Sequence, residues 1–67
     1  MNRYTLTARL NERRSNLTLW AVDDSSAMFE AIFKILDKAT TSPLWSKGRI
    51  ELKNSKGEVI NSMEAKE

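Results

Sequence analysis

Cysteine and histidine are both absent from this chain of 67 residues, which also has a single proline and two glycines. Without cysteine no disulfide or thiolate metal site can support the core, and the composition suits a reducing compartment such as the cytoplasm. Without histidine the commonest metal ligand and the commonest general base are missing, so neither a metal nor another cofactor is expected. Long apolar runs are lacking too. The start, MNRYTLTARL, has no apolar signal segment, and nothing later approaches bilayer-spanning length. The expectation is a soluble, unexported, cytoplasmic protein with no membrane partner, in which the sequon Asn16-Leu17-Thr18 carries no glycan.

What the chain does have is one convincing helix, Ser25 to Ala39, SSAMFEAIFKILDKA. Asp23, Asp24, Ser25 and Ser26 supply oxygens for the unpaired N–H groups of a helix start, and the two carboxylates favour the positive end of its dipole. Helical periodicity collects Met28, Ile32, Ile35, Leu36 and Ala39 on one side, with Phe29, Phe33 and Ala31 on the flanks. Glu30, Lys34, Asp37 and Lys38 fall opposite, where Glu30 and Lys34 form a favourable i,i+4 pair. A helix this apolar must lie on something.

The remaining segments read as strands. Residues 3–10, RYTLTARL, alternate with Tyr4, Leu6, Ala8 and Leu10 inward. Asn11 to Ser15 reads as a polar hairpin loop. Asn16 to Val22 is a second strand with Leu17 and Leu19 inward, although a bulge near Leu19-Trp20 would alter that. Thr40 to Pro43 ends the helix, and Leu44 and Trp45 fold back as a lid. Gly48 to Lys53 alternates with Ile50 and Leu52 inward. Asn54-Ser55-Lys56-Gly57 is a turn leading into a fourth strand, Glu58 to Ser62, with Ile60 beside Leu52. Met63 to Glu67 is expected to fray.

The fold class is therefore α+β, ββαββ, a single small domain over residues 1–67 with one helix across one face of a four-stranded, mainly antiparallel sheet. Two strand orders satisfy a right-handed crossover, 2-1-4-3 and the wholly antiparallel 2-1-3-4. The first is the β-grasp order, which the chain resembles in element order alone, with no motif to carry residues over.

Net charge is only +2, but it is unevenly spread. Residues 1–16 carry Arg3, Arg9, Arg13 and Arg14 against Glu12, and residues 44–57 carry Lys47, Arg49, Lys53 and Lys56 against Glu51, each a local +3. The helix region and the last ten residues are each at −2. The strands are basic and the helix is acidic.

The leading candidate site is the sheet face away from the helix, with Arg3, Arg9, Trp20, Arg49 and Lys53 among its side chains. A second is the loop pair Arg13-Arg14, which can dock on acid or phosphate. Antiparallel sheets commonly carry such residues on a wet face, and a loop charge pair is commonly only solvated. Asp23, Asp24 and Glu30 read as capping and surface acids rather than a metal site, and Ser25 and Ser26 have no base beside them. Phe33 reads as peripheral core that, partly exposed, would extend an interface along the helix flank.

These observations lead to a non-enzymatic binding protein, a regulator, adaptor or inhibitor of the kind phages and mobile elements carry. Its favoured partner is a protein with an acidic surface, met through the basic face or loops. The alternative is a nucleic acid on the same face, with Trp20 stacking on bases and the cations on phosphates. A homodimer through that face is a third arrangement, since Trp20, Val22 and Val59 would give it an apolar centre.

Overall fold

The structure is a computed structural model, and it describes residues 1–64. The chain runs β1 (Asn2–Leu10), β2 (Arg13–Ala21), α1 (Asp24–Ala39), α2 (Pro43–Lys47), β3 (Arg49–Lys53) and β4 (Val59–Glu64). The four strands form one sheet in the order β2-β1-β3-β4, with every neighbouring pair antiparallel. This is the α+β, ββαββ architecture expected from the pattern, and it excludes the β-grasp order.

The reason lies in how the chain enters β3. α1 runs back along the sheet, and the short α2 ends at Gly48, whose N–H donates to the Leu44 carbonyl at 3.1 Å. A Cβ at Gly48 would collide with the backbone carbonyls of both Leu44 and Arg9. The missing side chain lets β3 start directly against β1, with Arg49 opposite Arg9. β3 therefore becomes the antiparallel neighbour of β1, and β4 is left at the edge.

The first hairpin is tighter than its polar sequence suggests. Leu10 pairs with Arg13, so only Asn11 and Glu12 make the first connection, and Asn11 takes the left-handed φ of 56° that asparagine tolerates. Arg13 and Arg14 are consequently strand residues and not a loop tip. In the second turn the Asn54 side chain accepts from the Lys56 and Glu58 N–H groups at 3.0 Å, while Gly57 takes φ 83°. A bulge at Leu52/Lys53 sets Val59 opposite Lys53 but Asn61, not Ile60, opposite Leu52. Met63 and Glu64 pair with Ile50 and Arg49 instead of fraying, and the rest of the expected tail, 65–67, lies outside the described residues.

The core comprises Tyr4, Leu6 and Ala8 of β1, Leu19 and Ala21 of β2, Ile50 and Leu52 of β3, Ala27 and Ala31 of α1, and Trp45 as the lid. The inward faces of β1, β2 and β3 are as expected. The helix is not. Its most buried residues are the alanines, and Ile32 and Leu36, expected inward, are largely exposed. The sheet contributes bulky side chains, so the helix approaches with its smallest ones; this rolls it by roughly 60° at 3.6 residues per turn.

Its start is fixed from two sides. Asp23 caps it, accepting from the Ser26 N–H at 2.8 Å, and this bond, assisted by the Ser26 side chain, holds the Asp23 carboxyl below its ordinary range. Asp24 is not a second cap. It accepts from the buried Tyr4 hydroxyl at 2.8 Å, pinning the first turn to β1 and raising the Tyr4 pKa, chiefly through that bond. Among the described residues no buried side-chain polar atom lacks a partner.

Candidate binding face

Side chains of directly opposed residues share a face, so the strand register writes out the open surface row by row. Arg3 stands opposite Trp20. Next, Thr5 sits between Thr18 and Lys53, with Val59 beyond. Thr7 follows between Asn16 and Glu51, with Ser62 beyond. In the last row Arg9 stands between Arg14 and Arg49, with Glu64 at the edge.

Five of the expected residues, Arg3, Arg9, Trp20, Arg49 and Lys53, thus share one face. Arg14 joins them, although its segment read as a loop. Arg13 does not: opposite Leu10, it falls on the helix side at the end of the sheet. The bulge sets Asn61 on the face it shares with Leu52. Trp20 is 58% exposed, which settles its side of β2: Leu19 is buried and Leu17 packs at the core margin.

The row Arg14–Arg9–Arg49 is the strongest electrostatic feature here. Neighbouring strands lie about 4.8 Å apart, so three guanidinium groups spring from points within about 10 Å. Like charges directly opposite each other destabilise a sheet. Among the described residues the one ion pair is Arg49–Glu51, at 3.8 Å, with side chains 51% and 23% exposed. Such a pair contributes at most about 1 kcal/mol and leaves Arg9 and Arg14 uncompensated.

Further along the face, Arg3, Thr5, Thr7, Arg14, Asn16 and Lys53 border a shallow hollow of about 340 Å³ that the Asn54 turn closes at one end. Its lining is polar and cationic, suited to carboxylates or phosphates and not to an apolar ligand. Among the described residues there is no cluster of three acids that would hold a metal ion, and Ser25 and Ser26 belong to the helix start.

Sequence reasoning located this face, but of a second one it offered only Phe33, at the edge of the helix flank. Phe29, Ile32, Phe33 and Leu36 run along the outer flank of α1, exposed by 67%, 48%, 61% and 61%. The signal was the pair Ala27 and Ala31, four residues apart, which marks the side where a helix can come closest to a sheet. No protein-family model, curated protein or solved structure matches this chain. Among the described residues no helix is long and apolar enough to cross a membrane.

Proposed function

We propose that this is a non-enzymatic binding protein that engages an acidic protein surface through its open sheet face. The observation that carries the reading is the row Arg14–Arg9–Arg49, whose mutual repulsion is relieved when a partner's carboxylates lie across it. The five cations on the face are interrupted by Glu51 and Glu64. A nucleic acid presents negative charge throughout and would meet both acids, whereas a folded protein surface can match interleaved signs. Trp20 at the corner supplies an aromatic anchor of the kind that dominates protein interfaces. Such a domain acts by occupying its partner, as regulator, adaptor or inhibitor, and its lack of cysteine suits the cytoplasm.

Titration of Trp20 fluorescence with poly-L-glutamate, and separately with mixed-sequence single- and double-stranded oligonucleotides, tests this. Trp45 is buried and serves as the internal reference. The acidic polypeptide is expected to shift the emission, and Arg9→Glu to abolish the response. Stronger, steeply salt-dependent binding of oligonucleotides would replace this reading with the nucleic-acid one. Silence from every probe would remove the basic face from consideration.

A further inference from the structure

The hollow on the open face is floored by short side chains and bounded by long ones. Thr5 and Thr7 form the floor and are half-buried, although they point away from the core. Arg3 and the Asn54 turn close one end, Lys53 stands beside Thr5, and Arg14, on the diagonal from Thr7, bounds the other end. The turn is a fixed wall. The Gly57 N–H donates to the Asn54 carbonyl at 3.0 Å and the Asn54 N–H to the Glu58 carbonyl at 2.9 Å. The Asn54 side chain accepts from two further N–H groups, so the hollow of about 340 Å³ is shaped by backbone and not only by long side chains.

Every side chain lining the hollow can donate a hydrogen bond, and none is a carboxylate. The acids nearest to it are engaged elsewhere. Glu51, opposite Thr7, turns toward Arg49 at 3.8 Å, and Glu58 accepts from the Asn54 amide at 3.0 Å. Among the described residues neither Arg3 nor Lys53 has an acidic partner. The two are diagonal neighbours on adjacent strands, close enough for both to reach one anion above Thr5. No aromatic side chain lines the hollow, since Trp20 stands on the far side of Arg3.

We infer that this end of the hollow receives one phosphate monoester, a phosphoserine or phosphothreonine on the protein that the basic face meets, an inference that rests on that reading of the face. A carboxylate carries one charge and neutralises one of the two cations. A phosphate monoester carries close to two charges and presents three oxygens, which suits the Arg3 guanidinium, the Lys53 ammonium and the hydroxyls of Thr5 and Ser55 together. Phosphotyrosine and nucleotides are less suited, because their rings find no aromatic wall to stack on. Arg14, two rows further along, meets an acid flanking the phosphorylated residue and joins the hollow to the arginine row.

Amide NMR titration of the full chain tests this, using a capped pentapeptide of glycines with either phosphoserine or glutamate at its centre. The phosphopeptide is expected to shift the Thr5, Ser55 and Gly57 amides and to bind on the order of tenfold more tightly than the glutamate peptide. Arg3→Gln and Lys53→Gln should each bring that ratio to within about twofold of unity, as the loss of one cation leaves a site for a single charge. Lys47→Gln, which removes one exposed positive charge from α2, should leave the ratio unchanged. From pH 5 to pH 7 the phosphopeptide should bind more tightly as its second proton leaves near about pH 6. Arg3, Arg14 and Lys53 stay charged throughout, and the chain has no histidine to titrate in that window. Equal affinity for the two peptides, with poly-L-glutamate still bound, would overturn this inference and leave the reading of the face standing. Silence from poly-L-glutamate as well would remove both. Inorganic phosphate binding as tightly as the phosphopeptide would reduce the hollow to a small-anion site, and a single-stranded oligonucleotide binding more tightly per phosphate would reassign it; either would overturn the phosphopeptide assignment.

Discussion

On the open side of the sheet, Arg14, Arg9 and Arg49 stand abreast on three adjacent strands, while on the far side of the molecule Phe29, Ile32, Phe33 and Leu36 turn apolar side chains to water. Both surfaces depart from what the domain needs to fold alone. The arginine row raises the energy of the isolated domain by repulsion, which salt screens, and the helix flank raises it by apolar hydration, which salt does not relieve. Each excess names a different remedy: anions for the first surface, an apolar surface for the second.

The sharpest way to break this comparison is to show that the helix flank is a poorly drawn part of the core. Leu6 is fully buried, and Leu6→Ala should cost about 2–5 kcal/mol in urea denaturation. Phe33→Ala should cost no more than about 0.5 kcal/mol. Similar losses from the two would make the flank structural.

Next in size is the contact that sets the strand order. Gly48→Ala must displace the Leu44 or Arg9 backbone and should cost about 1–3 kcal/mol, with amide exchange accelerating in β3 and β4 before β1 and β2. Full stability in that variant would mean that β3 reaches β1 by some other constraint.

A smaller effect has the opposite sign. Arg9→Thr, which interrupts the arginine row, should stabilise the fold by about 0.2–1 kcal/mol at low salt while abolishing the response to poly-L-glutamate. The gain should shrink as salt is added. A destabilised variant would show that the row serves the fold and not a ligand.

The smallest effects concern the helix start. The Asp23 carboxyl is depressed in the folded state, so its contribution is complete above the ordinary carboxylate pKa near 4 and is lost as pH falls through the lower folded value. Asp23→Ser should flatten the acid limb of the stability curve. Tyr4 is raised, so its contribution holds below the ordinary tyrosine value near 10 and is lost as pH rises through the higher folded one. In Asp24→Ala the tyrosinate absorbance midpoint should move back toward the ordinary value. An unmoved midpoint would deny the Tyr4–Asp24 bond its role.

The strands and their inward faces were legible because alternation is a strong local signal, and Tyr4, Leu6, Ala8, Ile50 and Leu52 are all buried as the period requires. The sharing of one face by Arg3, Arg9, Trp20, Arg49 and Lys53 follows from the same period. Strand order was not legible, because it turns on the backbone clearance at Gly48 between α2 and β1, a long-range contact with no local signature. Nor was the length of the first turn: NERRS is polar throughout, and only pairing across the hairpin carries Arg13 and Arg14 into β2. The roll of α1 was hidden for a further reason. Periodicity finds an apolar arc but not which part of a wide one meets the sheet, and here the alanines decided it through close approach.

The most direct test of the difference between the two surfaces is a set of two-dimensional amide and indole NMR spectra, recorded on titration with poly-L-glutamate. The polypeptide is expected to move Trp20, Arg9, Arg14 and Arg49 while the helix flank stays still. A helix flank that moves with the open face, or in its place, would contradict the account, because the acidic polypeptide would then not be reading the arginine row.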